Sequence, residues 1–105
     1  MKSFFAGPLP DNARNLMRRL GYGEQRKYDG QVSYNRLISN TPFPKFHAYV
    51  EDKDGGIQIN LHFDQKGATY EGNHAHSCEY EGPLVEREMA RIGAAINAFK
   101  NQANA

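Results

Sequence analysis

The stretch that decides the fold is residues 46–64, which reads FHAYVEDKDGGIQINLHFD. Apolar side chains alternate with polar ones on both sides of a central Asp-Gly pair. Alternation with a period of two is typical of half-buried β-strands, and Asp-Gly is a strong signal for a tight hairpin turn. The stretch therefore predicts an antiparallel hairpin with one apolar face and one polar face.

The register of this hairpin is restricted because the apolar sets of its two strands must lie on the same face. A turn centred on Asp54-Gly55 pairs His47 with His62, whereas a turn centred on Gly55-Gly56 pairs His47 with Asp64. Both alternatives place the same polar side chains on one face, namely His47, Tyr49, Asn60, His62 and Asp64. We interpret this polar face as the ligand-binding site, with His47 and His62 as the candidate catalytic residues.

Two further elements are predicted on the N-terminal side. Residues 28–36 carry an Asp-Gly turn signal followed by alternating residues, which predicts a second hairpin. Farther upstream, apolar residues recur at the spacing of one helix face: Ala13, Leu16, Met17 and Leu20. Asp11 is the predicted N-cap of this short helix and Gly21 its stop.

Residues 65–82 predict a long ordered loop, and connections of this length in small domains are more often functional than idle. A C-terminal helix is predicted to begin at Pro83 and to run to about residue 100, with residues 101–105 as a frayed tail. Its apolar stripe has the spacing of one helix face and consists of Val85, Met89, Ile92, Ile96 and Phe99.

These elements predict a single α+β domain spanning residues 1–105. We expect a short N-terminal helix and an antiparallel sheet of three to five strands that includes both hairpins. The C-terminal helix is expected to pack on the apolar face of the sheet, which leaves the histidines on the other face.

Composition narrows the function classes. No apolar run approaches the length of a membrane span, and the apolar N-terminal stretch is too short for a signal-peptide core. The lone cysteine, Cys78, cannot form an intrachain disulfide, so we expect a cytoplasmic protein. Residues 1–53 contain nine Lys/Arg and five Asp/Glu, and residues 54–105 contain four and seven, so the halves carry +4 and −3. This asymmetry suits a polyanion-binding surface or a protein–protein adaptor, and it also suits two solvated faces.

The histidines favour metal binding. His62 and Asp64, like His74 and His76, are two residues apart, which in extended backbone directs both side chains to one side. Imidazole and carboxylate ligands suit Zn²⁺ or a similar divalent ion, so these four residues are the predicted ligands. No recognised zinc motif is present, and the four histidines also fit polar cross-strand and loop positions.

The main alternative is RNA binding or RNA cleavage. Paired imidazoles at positions 47 and 62 could divide into an acid and a base that cleave RNA without metal. Basic residues of the N-terminal half, interleaved with tyrosines that could stack on bases, form the candidate nucleic-acid surface: Arg14, Arg18, Arg19, Arg26 and Lys27.

Residues 46–82 resemble a small family of uncharacterised bacterial proteins. The matching motifs are Phe46-His47-Ala48-Tyr49, Leu61-His62-Phe63-Asp64-Gln65-Lys66, Tyr70-Glu71-Gly72, Ala75-His76-Ser77 and Glu79-Tyr80-Glu81-Gly82. That resemblance implies no function.

A weaker resemblance, through Leu20-Gly21-Tyr22, His47-Ala48-Tyr49 and Asp54-Gly55, is to HicA-type mRNA-interferase toxins. Their fold resembles the double-stranded-RNA-binding domain. It implies a helix–three strands–helix order and a role for His47 on RNA.

Overall fold

The chain folds as an α+β domain in which two helices cover one face of an antiparallel sheet. The computed structural model describes residues 1–65, 78–79 and 82–103. In chain order the elements are β1 (Lys2–Phe5), α1 (Ala13–Arg19), β2 (Gly23–Arg26), β3 (Val32–Leu37), β4 (Lys45–Lys53), β5 (Gly56–Asp64), β6 (Cys78–Glu79) and α2 (Pro83–Ala103). Neither described helix is both long and apolar enough to cross a membrane.

The sheet is built around the two predicted hairpins. Its strand order is β1-β5-β4-β3-β2, and β6 pairs with β5 on the same edge as β1. The β2–β3 and β4–β5 pairs are both antiparallel neighbours, which confirms the two hairpins. The long β4–β5 pair is central and fixes the position of the polar face.

The turn between β4 and β5 settles the register. Asp54 and Gly55 both have positive φ, at 51° and 79°, as a two-residue type I′ turn requires. His47 therefore pairs with His62 and Tyr49 with Asn60. Of the two registers predicted, the turn centred on Asp54-Gly55 is confirmed, and the alternative that pairs His47 with Asp64 is wrong.

Helix α1 ends as predicted but is capped one residue later than expected. Asn12 is the N-cap, since its side chain accepts a hydrogen bond from the backbone N–H of Asn15 at 2.9 Å. Asp11, the predicted cap, instead accepts from the Asn15 side chain. At the other end Gly21 adopts φ 95°, and the Tyr22 N–H donates to the Met17 carbonyl, which is a Schellman arrangement.

The core lies between the apolar sheet face and both helices. Every predicted apolar residue of α1 is buried, and so are four of the five predicted on α2; Phe99, the fifth, packs against the core from its edge. From the sheet, the core includes Phe46, Ala48, Ile59, Leu61 and Phe63. The alternation of β4 and β5 thus places these side chains inward and the histidines on the opposite face.

Three features differ from the predictions. Residues 2–5 form an edge strand that the sequence did not indicate, and residues 78–79 pair with β5 although they fall in the predicted loop. The α2 helix continues to Ala103, so residues 101–103 are helical and not a frayed tail. The rest of the predicted 65–82 loop lies largely outside the described residues.

A buried ion cluster joins the two helices to the sheet. The Glu88 carboxylate is 5% exposed and accepts hydrogen bonds from the Tyr22 hydroxyl at 2.7 Å and from the Arg91 guanidinium at 2.8 and 2.9 Å. Arg36 of β3 lies 3.5 Å from the same carboxylate. Burial alone would raise the pKa of Glu88, but the hydrogen bonds from Arg91 and Tyr22 outweigh it and lower the pKa below its ordinary value. The cluster therefore keeps a charged carboxylate inside the fold.

Close backbone contact between β1 and the central turn requires glycine. A Cβ on Gly56 would collide with the Phe5 carbonyl oxygen. We expect Gly56→Ala to lower the free energy of unfolding by about 1–3 kcal/mol, as overpacked sites do. Gly23→Ala is the matched control, because its Cβ would come no closer than 3.9 Å to the Asn35 carbonyl. Urea denaturation of both variants measures their loss of stability relative to the parent. Equal unfolding midpoints for the two variants would show that the backbone contact between Gly56 and Phe5 does not require glycine.

Candidate functional site

All five residues predicted for the polar face lie together on the sheet face away from the helices. Consecutive rows across β5 and β4 consist of Asp64 with Lys45, His62 with His47, and Asn60 with Tyr49. The period-two alternation of each strand causes this, because every second side chain points to the same side. The predicted grouping is therefore the one that the described structure contains.

Within this face, His47, His62 and Asp64 form a compact cluster, which we call the His-Asp triad. His62 Nε2 lies 2.9 Å from His47 Nδ1, so one ring nitrogen donates a hydrogen bond to the other. The two Asp64 oxygens lie 3.5 Å from His62 Nε2 and 3.7 Å from His47 Nδ1. One ligand atom from each residue lies within 4.8 Å of the others, so the triad could hold a metal ion.

The spacing of the triad is compact enough for one metal ion. With Zn–N bonds of about 2.0–2.1 Å, neighbouring ligand atoms in a tetrahedron stand about 3.3 Å apart. In the triad the two imidazole nitrogens stand 2.9 Å apart, and each lies 3.5 or 3.7 Å from a different oxygen of Asp64. One ligand atom from each residue lies within 4.8 Å of the other two, so side-chain rotation would be needed to bring one carboxylate oxygen and both nitrogens to the zinc spacing.

Burial keeps the imidazoles neutral. His62 is 7% exposed, and the side chain of His47 is 15% exposed. Burial, together with the neighbouring His62, lowers the pKa of His47 to about 4, although Asp64 opposes the shift. Burial also lowers the pKa of His62, again against the effect of Asp64. Neutral imidazole is the form that binds metal, so no proton has to be removed from either ring near neutral pH.

The polar face also contains buried polar atoms that have no hydrogen-bond partner among the described residues. They are Ser33 Oγ, Asn35 Oδ1 and His47 Nε2. Asn35 is the register partner of His47 on β3. Buried polar groups are rarely left unpaired, so these three atoms have hydrogen-bonding capacity that the described residues do not use.

The depressed pKa of His47 predicts how stability depends on pH. In the unfolded chain the imidazole titrates near 6.5, so between that pH and about 4 the unfolded state binds a proton that the folded state does not. The free energy of unfolding should therefore fall as the pH drops through this window, by roughly 3 kcal/mol from His47 alone.

Urea denaturation of metal-free protein at about pH 7 and about pH 4.5 measures this loss. The His47→Gln variant should lose less stability than the parent over the same interval. An NMR titration of the His47 ring gives the pKa directly, and an ordinary value near 6.5 would contradict the prediction.

The predicted metal set is only partly within the described structure. His62 and Asp64 lie together, whereas His74 and His76 lie outside the described residues and stay predicted ligands. His47 was assigned to the polar face but not to the metal set, and the structure brings it into the triad. The signal that could have identified it was the cross-strand register, which places it directly beside His62.

Most of the candidate nucleic-acid residues do not join the histidines on the polar face. Arg14, Arg18 and Arg19 belong to α1, which packs on the opposite side of the sheet. Arg14 lies 2.8 Å and Arg26 3.6 Å from the Glu24 carboxylate, and the Arg19 guanidinium lies 3.8 Å from the centre of the Phe99 ring. Lys27, exposed just after β2, is the exception, since it lies near enough to His47 for its charge to help lower the pKa of that imidazole. A surface that included both sets would have to continue around an edge of the sheet.

Comparison of the chain with protein-family models, with curated proteins and with solved structures finds no match. The two resemblances noted from the sequence therefore stay predictions. What the site can do has to be argued from its own geometry.

Proposed function

We propose that this protein is a small cytoplasmic metal-binding domain that takes Zn²⁺ or a similar transition-metal ion at the His-Asp triad. The observation that carries the proposal is the closeness of three ligand atoms on two adjacent strands: all lie within 4.8 Å of one another, and the two imidazole nitrogens are 2.9 Å apart. Two imidazoles and one carboxylate form a ligand set that Zn²⁺ accepts.

The protonation of the triad supports the same proposal. The contact between His47 and His62 contains one proton, which a metal ion would displace. A neutral imidazole can move that proton to its other ring nitrogen, so binding requires only a change of tautomer. If His47 binds through Nδ1, its Nε2–H needs an acceptor, and the buried Oδ1 of its neighbour Asn35 has no partner among the residues that the structure describes. Metal-bound histidines usually donate their second N–H in this way.

Three protein ligands leave the fourth position of a tetrahedral zinc ion open. A water molecule there would become a nucleophile near neutral pH, and a further protein ligand would make the site structural. His74 and His76 are the predicted candidates for that further ligand. The proposal therefore covers both a catalytic and a structural metal.

Calorimetric titration of chelator-treated protein with Zn²⁺ tests the proposal, and we expect one ion per chain. His47→Ala and Asp64→Asn should each weaken binding by more than about 100-fold, since even the loss of a residue that only hydrogen-bonds a metal ligand costs about 10- to 100-fold. The matched control is Asp29→Asn, which alters an exposed carboxylate in the β2–β3 turn. Absence of stoichiometric binding, or equal weakening in the control, would refute the proposal.

A double replacement of His74 and His76 by alanine tests the wider ligand set separately. If these residues complete the coordination, the Zn²⁺ affinity falls as it does for a triad variant. If the affinity stays within a few-fold of the parent, the triad binds the ion with water in the open position. The visible spectrum of the Co²⁺-substituted protein reports the same difference in coordination.

A further inference from the structure

A second binding feature lies on the polar face next to the triad. It is a cleft of about 320 Å³ whose polar lining comes from Lys2, Gln31, Tyr49, Glu51, Gln58 and Asn60. The row formed by Tyr49 and Asn60 directly follows the row formed by His47 and His62. The cleft and the triad therefore form one continuous surface, although the triad residues do not line the cleft.

The lining favours a neutral, hydrogen-bonding ligand. One cation, Lys2, and one anion, Glu51, balance each other, so neither a strongly anionic nor a strongly cationic ligand gains from the site. The remaining polar groups include three side-chain amides, each of which both donates and accepts hydrogen bonds. A hydroxyl group has the same double capacity, so amides and hydroxyls complement each other without charge.

The polar side chains of the cleft are largely uncommitted. Among the described residues, Lys2, Tyr49 and Asn60 make no side-chain hydrogen bond, and Gln58 accepts one from Lys53 at 3.1 Å. Several hydrogen-bonding groups in one place are thus available to a ligand.

The cleft also has an apolar side and a limited size. The Tyr49 ring offers a surface for the C–H groups of a ring, whereas the Val32 and Val50 side chains pack against the core on the other face of the sheet. Small-molecule sites measure about 300–1,000 Å³, so this cleft is at the lower limit and suits one ring better than a chain of them.

We propose that this cleft binds a neutral, hydroxyl-rich small molecule of about one ring in size, such as a monosaccharide or a cyclic polyol. Amides of Gln31, Gln58 and Asn60 would bond its hydroxyls, and the Tyr49 ring would pack on its carbon skeleton. A further part of this proposal rests on the proposed metal function: a hydroxyl of the ligand, bound beside Tyr49 and Asn60, would extend toward the open coordination position of the metal ion. The cleft itself needs no metal.

The test is an NMR titration of metal-free protein with D-glucose, D-mannose and myo-inositol, followed in the amide resonances. The side-chain NH₂ groups of Gln58 and Asn60 report directly from the cleft. We expect saturable shifts at both for at least one of these probes, with a dissociation constant in the millimolar range. Asn60→Ala, or Gln58→Ala if the first variant unfolds, should weaken binding roughly tenfold, as loss of a ligand hydrogen bond does.

Asn97→Ala is the control, since Asn97 is an exposed amide on α2 away from the cleft, and its binding should equal that of the parent. Gluconate and glucosamine should bind more weakly than glucose. The proposal is overturned if none of the neutral probes gives a saturable shift, or if cyclohexanol shifts the same resonances as strongly as the polyols. Zn²⁺ binding without polyol binding would refute the cleft proposal and leave the metal proposal intact. Polyol binding without Zn²⁺ binding would refute the metal proposal and leave the cleft proposal intact.

Discussion

Zn²⁺ at about 100 times its dissociation constant is expected to raise the melting temperature of the protein by roughly 10 to 20 °C. At that excess, a ligand that binds only the folded state contributes about 2.7 kcal/mol, and each kcal/mol shifts a domain of this size by about 4–8 °C. His62→Ala should remove nearly all of the shift, because His62 contacts both other members of the triad. Thermal denaturation with Zn²⁺ and with chelator, for each variant, measures the effect.

The comparison within each variant is necessary because His62 is buried and its removal also costs packing. His62→Gln keeps more of the volume and should lose the Zn²⁺ shift equally. Glu51→Gln, a change of an exposed carboxylate on the same face, should keep it. A Zn²⁺ shift that persists in both His62 variants would place the ion elsewhere and contradict the assignment of the triad.

Glu88→Ala is expected to lower the free energy of unfolding by about 1–3 kcal/mol, which is a sizeable part of the stability of a small domain. The substitution would remove the acceptor of Tyr22 and the counterion of Arg91 and Arg36. The cost comes mainly from the buried Tyr22 hydroxyl, which would lose its acceptor, because the Arg36 and Arg91 side chains are 35% and 40% exposed and can turn to water. Urea denaturation gives the difference.

Glu86 provides a matched control for Glu88. It is an exposed glutamate two residues earlier in the same helix, and Glu86→Ala should change stability by less than about 0.5 kcal/mol. The lowered pKa of Glu88 also predicts how the free energy of unfolding depends on pH. The stabilisation by Glu88 is present above the ordinary glutamate pKa and is lost as the pH falls through the lower, folded-state pKa. Glu88→Gln should therefore unfold with a shallower acid dependence, and equal losses for Glu86→Ala and Glu88→Ala would refute the cluster's role.

The hairpins and the face assignment could be predicted from the sequence because they depend on local patterns. Period-two alternation fixes which side chains share a face, and one Asp-Gly pair limits the register to two alternatives. The choice between them depends on the two positive φ angles at Asp54 and Gly55, which alternation does not encode. The composition of the polar face was therefore predictable, and the pairing of His47 with His62 was one of two outcomes.

Features that depend on distant contacts could not be predicted. The strand at residues 2–5 has only four residues and is stabilised by pairing with β5, more than fifty residues later in the chain. Glu88 lies in the second turn of α2, whereas its partners Tyr22 and Arg36 come from other parts of the chain. Its burial depends on how α2 meets the sheet. The cleft beside the triad likewise needs Lys2 from β1 and Gln31 from the end of the β2–β3 turn.

Because the triad lies within one hairpin, a single short segment of sequence is enough to specify it. His47, Tyr49, Asn60, His62 and Asp64 all belong to residues 45–64, and only fifteen positions separate the two histidines. Joining them closes a short loop, which costs little conformational entropy compared with contacts between chain ends. The ligand geometry of the triad is therefore contained in one contiguous segment of the chain. A sheet protein that acquired this segment as a block would acquire the ligand geometry with it, provided that it could bury the Ala48 and Leu61 side, because an isolated hairpin is barely stable in water.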